Sequence, residues 1–270
     1  MSRKQILCMK WGTYYGPEYV NILYGMVARN ITGDFKVICF TDDPTGIRKE
    51  VECFPLPELG CEIPPDVPGK WPKQALWGRD LFGLQGLALF LDLDSVIVGN
   101  LDGYFEFGQP DDVITARNWV RLTGYHGQTS VFRFQIGAHA YLLDNLRADP
   151  ATISRRYQME QNYVTAGIRG GIKFWPEAWT KHYRKHCMGV WPLRYLRAPV
   201  LPHGAKIVTF PGRPKPTDAI LGQWSPKIGV HQRGEHLRWV WANRRPLRQV
   251  HKKISHFTQA APWVAEHWRE

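Results

Sequence analysis

The chain has 270 residues, with 35 Lys and Arg against 24 Asp and Glu and a formal net charge of +11 at pH 7. Hydrophobic residues make up 44% and charged residues 22%, a globular balance that excludes an intrinsically disordered or collagen-like chain. No apolar run reaches the ~20 residues of a membrane-spanning helix. The four apolar residues between Gln5 and Lys10 are too few for a signal peptide. The five cysteines are odd in number and contain no Cys-x-x-Cys pair, which argues against a disulfide framework or a zinc site and for a reducing, cytoplasmic setting.

In chain order, Lys4–Met9 reads as a strand. Pro17 then opens a helix on which Val20, Leu23, Tyr24 and Val27 recur at helical spacing up to Asn30. Phe35–Phe40 and Val51–Leu56 are further strands. Six prolines between Pro55 and Pro72 make that stretch a loop. The sequence predicts a helix over Lys73–Leu81 and, at Leu87–Leu91, a strand apolar enough to be buried on both faces. Later strands are expected at Val113–Ala116, Ser130–Phe134 and Lys206–Phe210, and helices at Ala138–Leu146 and Glu160–Ala166. This alternation predicts an α/β fold with a mainly parallel central sheet, whose ligands lie beyond the carboxyl ends of the strands.

The charge is unevenly distributed. Residues 1–178 carry 18 Lys and Arg against 20 Asp and Glu, whereas residues 179–270 carry 17 against 4. The same tail holds eight of the ten histidines and seven of the twelve tryptophans, Trp191, Trp239, Trp241 and Trp263 among them. Such a surface suits an anionic partner, a phosphorylated glycan, acidic lipid headgroups or nucleic acid. A basic face turned to solvent over buried tryptophans is the other reading. No nucleic-acid-binding signature is present, and no specific nucleic acid is expected as partner.

Asp92 and Asp94 follow the most apolar strand directly and precede Val96-Ile97-Val98. On an extended strand alternate side chains share a face, and two carboxylates on one face call for a hard divalent cation between them. One of the two capping the next turn is the alternative.

The segment Leu89-Phe90-Leu91-Asp92-Leu93-Asp94-Ser95-Val96-Ile97-Val98 resembles the metal-binding segment of the family 8 glycosyltransferases, the group of glycogenin and the bacterial lipopolysaccharide glycosyltransferases. Further blocks follow the family's order. Lys73 matches a basic residue facing the donor, and Ser130-Val131-Phe132 stands at the position of an Asn-Ser-Gly strand. Glu160-Gln161-Asn162 resembles the Asp-Gln-Asp segment, and Gly212-Arg213-Pro214-Lys215-Pro216 the Gly-x-x-Lys-Pro ending. The resemblance implies a glycosyltransferase A-type fold, with residues 1–220 as the nucleotide-sugar-binding catalytic domain, and the dominance of Trp, His and Arg after Leu221 sets 221–270 apart as a basic, Trp-rich extension. It also implies a donor, UDP-sugar by preference, bound by Lys10, Tyr15, Lys73, Asp92, Asp94, Ser130, Gly212 and Lys215. Mn²⁺ or Mg²⁺ is expected on Asp92 and Asp94, and Gln161 and Glu160 are the catalytic candidates.

Two positions depart from the family pattern. Thr209 stands where the family has a metal-ligating histidine, with His203 six residues upstream, and Glu160 replaces an aspartate. An amide such as Gln161 is a feeble nucleophile, so the resemblance implies a retaining, front-face displacement. The acceptor implied is a glycan or lipid-linked glycan. The basic tail implies a peripheral seat on an anionic inner-membrane surface. The competing readings are a nucleotidyltransferase and a non-catalytic glycan- or nucleic-acid-binding protein that has kept the fold.

Overall fold

Continuous apolar runs form the central strands, and the helically spaced segments between them pack on the sheet. The computed structural model describes residues 3–119, 125–190 and 192–270. Trp191 and the first two residues lie outside the described residues. In chain order the first elements are β1 (Lys4–Lys10), α1 (Pro17–Asn30), β2 (Phe35–Thr41), β3 (Val51–Phe54), a 3₁₀ turn (Trp71–Trp77), β4 (Leu87–Leu91) and β5 (Ser95–Ile97). Next come α2 (Asp102–Glu106), β6 (Ile114–Arg117), β7 (Gly127–Gln135), α3 (Tyr141–Ala148), α4 (Pro150–Tyr157), α5 (Glu160–Gly167) and β8 (Lys173–Phe174). The chain ends with β9 (Thr180–His182), a π-helical turn (Tyr183–Cys187), α6 (Leu193–Leu196), β10 (Ile207–Thr209), α7 (Pro216–Leu221), α8 (Arg233–Ala242), α9 (Val250–Ser255) and α10 (Pro262–His267).

These elements divide into two compact units, Met1–Leu93 with Asn100–Glu177, and Asp94–Gly99 with Ala178–Glu270. The first holds a seven-stranded sheet in the order β3-β2-β1-β4-β7-β6-β8. β3, β2, β1 and β4 run parallel, β7 is antiparallel to both neighbours, and β8 is parallel to β6. The mainly parallel α/β expectation holds. Val20, Leu23, Met26 and Val27 of α1 are fully buried, as their spacing predicts. A second apolar cluster gathers Leu7, Phe40, Trp77, Phe90, Phe132, Phe134 and Leu142. Arg133 of β7 is buried (1% exposed) and donates from Nη1 to the carbonyls of Phe105 (3.2 Å) and Phe107 (2.5 Å) and from Nη2 to that of Gln109. It thereby fixes the loop that follows α2.

The expected helix at Lys73–Leu81 is instead the 3₁₀ turn, displaced toward the N-terminus. Pro72 sets its first turn, and Gly78 closes it with its N–H on the Ala75 carbonyl at 3.1 Å.

The second unit has a three-stranded sheet in the order β5-β10-β9, with β10 antiparallel to β5 and parallel to β9. Its aromatic residues are largely interior. Tyr195 stacks on Phe257 at 4.3 Å, and buried His236 lies against Phe257 and Trp239. Trp224 and Trp268 are buried, whereas Trp241 is 71% exposed. All five cysteines are free thiols. Among the described residues no helix is long and apolar enough to cross a membrane.

Candidate functional site

In the first unit the strand order reverses between β1 and β4, because β2 and β3 extend the sheet on one side of β1 and β4 lies on the other. Ligands of open α/β sheets bind at such a reversal, beyond the carboxyl ends. Lys10 ends β1 and Asp92 directly follows β4, so the two flank it. Lys10 is buried, and its Nζ donates to the Asp43 carbonyl at 3.1 Å. The Gly12 N–H donates to Asp42 Oδ2 at 2.8 Å, which ties the loops after β1 and β2 together. Half-buried Tyr15 sits between Tyr14 (ring centroids 4.8 Å apart) and Tyr19 (4.6 Å). Tyr14 is the more open ring, at 63% exposure. The sequence reading passed over it in favour of Tyr15.

Asp92 is held from two sides. Its N–H donates to the Ser130 carbonyl at 2.8 Å, extending the β4–β7 ladder by one step. Its Oδ1 accepts from Lys73 Nζ at 2.7 Å. That ammonium also donates to the Thr129 carbonyl (3.1 Å) and lies 4.8 Å over the Phe90 ring. Lys73, Asp92 and Ser130 therefore form one cluster, and Ser130 contributes its backbone to it. Glu160, at the start of α5, is buried and accepts the Lys70 N–H on Oε2 at 3.0 Å. Its carboxylate thus holds the loop leading into the Lys73 turn. Gly69 makes the close approach feasible, since a Cβ there would lie 3.2 Å from Glu160 Oε2 and the backbone has φ +116°. Gln161 beside it is half-buried.

Asp92 and Asp94 do not share a strand. β4 ends at Leu91 and β5 begins at Ser95, so the two aspartates lie in the intervening turn. Strand alternation therefore does not set their direction, contrary to the expectation.

In the second unit Asp94 is buried, and its Oδ2 accepts from Lys215 Nζ; that ammonium also donates to the Phe210 carbonyl at 3.5 Å. The loop presenting Lys215 is fixed by Asp218, a residue the sequence reading missed. Asp218 Oδ2 accepts the Lys215 N–H (2.9 Å) and Arg213 Nη1 (2.6 Å), while Oδ1 accepts Gln223 Nε2 (2.9 Å). The sequence signal for it is an acidic residue in the first turn of a helix that Pro216 opens. Gly212 has φ +80°, a conformation that glycine adopts without strain.

Thr209 pairs in register with Ser95 on β5 and His182 on β9. It is fully buried, and its hydroxyl donates to the Lys181 carbonyl at 3.3 Å. His182 is buried too, and burial, with the charges of Arg184, His186 and Lys185, pushes it down to about 3. Its Nδ1 accepts the Arg184 N–H at 3.1 Å.

Asp92 and Asp94 each carry a lysine ammonium, and the Thr209 hydroxyl is spent on a carbonyl. Among the described residues no three His, Cys, Asp or Glu side chains gather where they could hold one metal ion.

The fold is that of the glycosyltransferase A-type enzymes. The chain is similar to the galactosyltransferase LgtC solved with donor and acceptor sugar analogues, at 11% identity and a TM-score of 0.56, covering 97% of this chain and 99% of LgtC. GlyE of Streptococcus pneumoniae TIGR4 is matched at 11% identity and a TM-score of 0.55, over 96% of this chain and 66% of GlyE. The bifunctional glycosyltransferase WbbM is matched at 12% and 0.55, over 99% of this chain and 51% of WbbM. No protein-family model and no curated protein sequence matches the chain. At such identities the likeness is one of fold.

Proposed function

We propose that this chain transfers a glycosyl group from a nucleoside-diphosphate sugar, uridine being the favoured base, to a glycan or glycolipid acceptor with retention at the anomeric carbon. The observation that carries the reading is a glycosyltransferase A-type fold along nearly the whole chain, with Lys10 and Asp92 at the strand-order reversal where such sheets take ligands. The family 8 resemblance of the sequence motifs points the same way.

In the proposed reaction the bond from the anomeric carbon to the diphosphate oxygen breaks, and the acceptor oxygen bonds to that carbon on the same face. The acceptor hydroxyl proton passes to the departing diphosphate. Negative charge develops on the leaving group, and fixed cations aimed at it lower the barrier. Gln161, half-buried at the start of α5, contributes an amide dipole toward the sugar. Glu160 acts as a positioning residue. The exposed ring of Tyr14, beside Tyr15, is suited to stacking on the base.

Acceptor recognition and membrane contact are proposed for the second unit. Exposed Leu196, Val200, Trp241 and Leu247, in a segment with 17 Lys and Arg against 4 Asp and Glu, suit an anionic lipid surface.

A panel of nucleotide sugars, scored by thermal shift and donor hydrolysis, tests the reading. One donor class should raise the melting temperature and be slowly hydrolysed without acceptor. A flat response across the panel refutes glycosyl transfer.

A further inference from the structure

We propose that the first unit carries a carbohydrate-binding pocket outside the donor site, where a non-reacting sugar residue of the acceptor glycan is held. That the sugar belongs to an acceptor rests on the glycosyl-transfer reading; the chemistry of the pocket points to carbohydrate without it. The pocket is a cavity of 410 Å³ between the loop after β3, the end of the 3₁₀ turn with the turn that follows it, and α3. That volume is within the range of small-molecule sites. Its described lining residues all belong to the first unit, and Lys10, Lys73 and Asp92 are not among them.

One wall is an aromatic ring set on an unfavourable backbone. Phe82 and Gly83 have φ of +53° and +72°, and the Leu84 N–H closes the turn on the Leu81 carbonyl at 3.0 Å. Positive φ at both central residues is the pattern of a type I′ turn. Asn or Gly is the usual first central residue there, and a bulky side chain is an outlier. Asp80 Oδ1 accepts the Gly83 N–H at 2.7 Å and secures the turn. The Phe82 ring stacks on Phe54 at 5.3 Å, yet the residue stays 41% exposed.

The polar groups around the ring are mixed in sign. The guanidinium groups of Arg79 and Arg147 stand with the carboxylates of Glu58, Asp80 and Asp144. Arg147 is fixed in place, since its Nε donates to the Leu59 carbonyl (2.8 Å) and its Nη2 to that of Glu58 (2.9 Å). Gly60 permits this approach, because a Cβ there would lie 2.6 Å from Nε. A guanidinium has five N–H donors, so three remain for a ligand. Arg79 Nη2 donates to Asp144 Oδ2 at 2.6 Å, which sets a donor and an acceptor side by side.

Three carboxylates against two cations disfavour a phosphate or another anion, and five charged groups disfavour a lipid chain. A hydroxyl both donates and accepts, so a polyol satisfies guanidinium and carboxylate together. The C–H face of a sugar ring covers an aromatic side chain through apolar contact. A sugar residue is the class of ligand that uses all of these groups.

The test is saturation-transfer NMR of the full chain with the methyl glycosides of glucose, galactose, mannose and N-acetylglucosamine, and with lactose and maltose. At least one probe should bind. Phe82→Asn, which suits the turn but lacks the ring, should weaken that binding at least tenfold. Asp144→Ala breaks only an exposed ion pair of little weight in folding. It should weaken binding at least threefold, and it decides alone if Phe82→Asn does not fold. Donor hydrolysis should stay within twofold in both variants; a greater loss puts the pocket in the donor site and overturns the inference. Absence of binding by every probe also overturns it, as does binding that Phe82→Asn leaves unchanged, and glycosyl transfer still stands if the unmodified chain hydrolyses its donor. A chain that binds a probe through Phe82 yet hydrolyses no donor keeps the sugar pocket and loses the transferase reading.

Discussion

Replacing Glu160 separates a residue that holds a loop from one that does chemistry. Its Oε2 accepts the Lys70 N–H at 3.0 Å, and its side chain is buried while Lys70 itself is exposed. Water can therefore reach the orphaned N–H in Glu160→Ala, which puts that loss near the low end of its range, about 1 kcal/mol. The removed methylene adds about 0.8 kcal/mol. The sum, about 2 kcal/mol, lowers the melting temperature by roughly 4–8 °C in a unit of this size. Glu160→Gln keeps an acceptor oxygen at the same reach, so it should cost less than about 1 kcal/mol and leave turnover nearly unchanged. A general acid or base lost by the same substitution would cost about 10²–10⁴ in rate. The assay is thermal denaturation alongside donor hydrolysis for both variants. The loop-holding role is refuted if Glu160→Gln melts like the unmodified chain yet loses a hundredfold or more in turnover.

Two further predictions concern stability. Arg133→Met leaves the Phe105, Phe107 and Gln109 carbonyls without their buried guanidinium donor. The expected loss is about 3 kcal/mol, from bonds of ~1 kcal/mol each; a denaturant midpoint unchanged from the unmodified chain would contradict this. His236 is 1% exposed, and burial, then the charges of His231 and His256, pushes it down to about 4. Tyr195 donates its hydroxyl to the Ile254 carbonyl at 2.8 Å, so His236 Nδ1 carries a proton and donates to the tyrosine oxygen at 2.7 Å. With the folded value below the ordinary one, its contribution is complete above about pH 6.5 and is lost as the pH falls toward 4. At ~1.4 kcal/mol per pH unit, the loss by pH 5 is about 2 kcal/mol. His236→Asn, which keeps a donor toward Tyr195, should flatten the pH 5–7 dependence of the melting temperature, and an unaltered slope counts against the assignment.

Much of the large sheet was legible because its strands are apolar runs of the right length. Leu87–Leu91 and Phe35–Phe40 declare themselves, and the 14-residue α1 follows from its spacing. Local signals also marked features that were passed over. Asp149 accepts the Thr152 N–H and Pro150 opens α4, a plain helix start. The turn at Asp92–Asp94 was hidden because Val96 and Ile97 read as a continuation of one apolar run, when they form a separate three-residue strand. What could not be read is what each charge meets. Asp92 finds Lys73 across 19 residues, Asp94 finds Lys215 across 121, and Glu160 finds Lys70 across 90. Periodicity reports which face a residue takes, and it carries no information on pairings made by the folded chain.

The six residues Asp94–Gly99 lie within the span of the first unit in sequence, yet β5 is built into the second, where it pairs with β10 and packs against α10. During synthesis this strand leaves the ribosome long before its partner, and its apolar edge stays uncovered until about a hundred more residues follow. The tail is bound into the same small body, because the Ala261 N–H donates to the Ala219 carbonyl at 2.9 Å. Trimming the chain at residue 220 would therefore strip support from the strand that directly follows Asp94, so shortening the protein is no neutral way to probe what its basic end does.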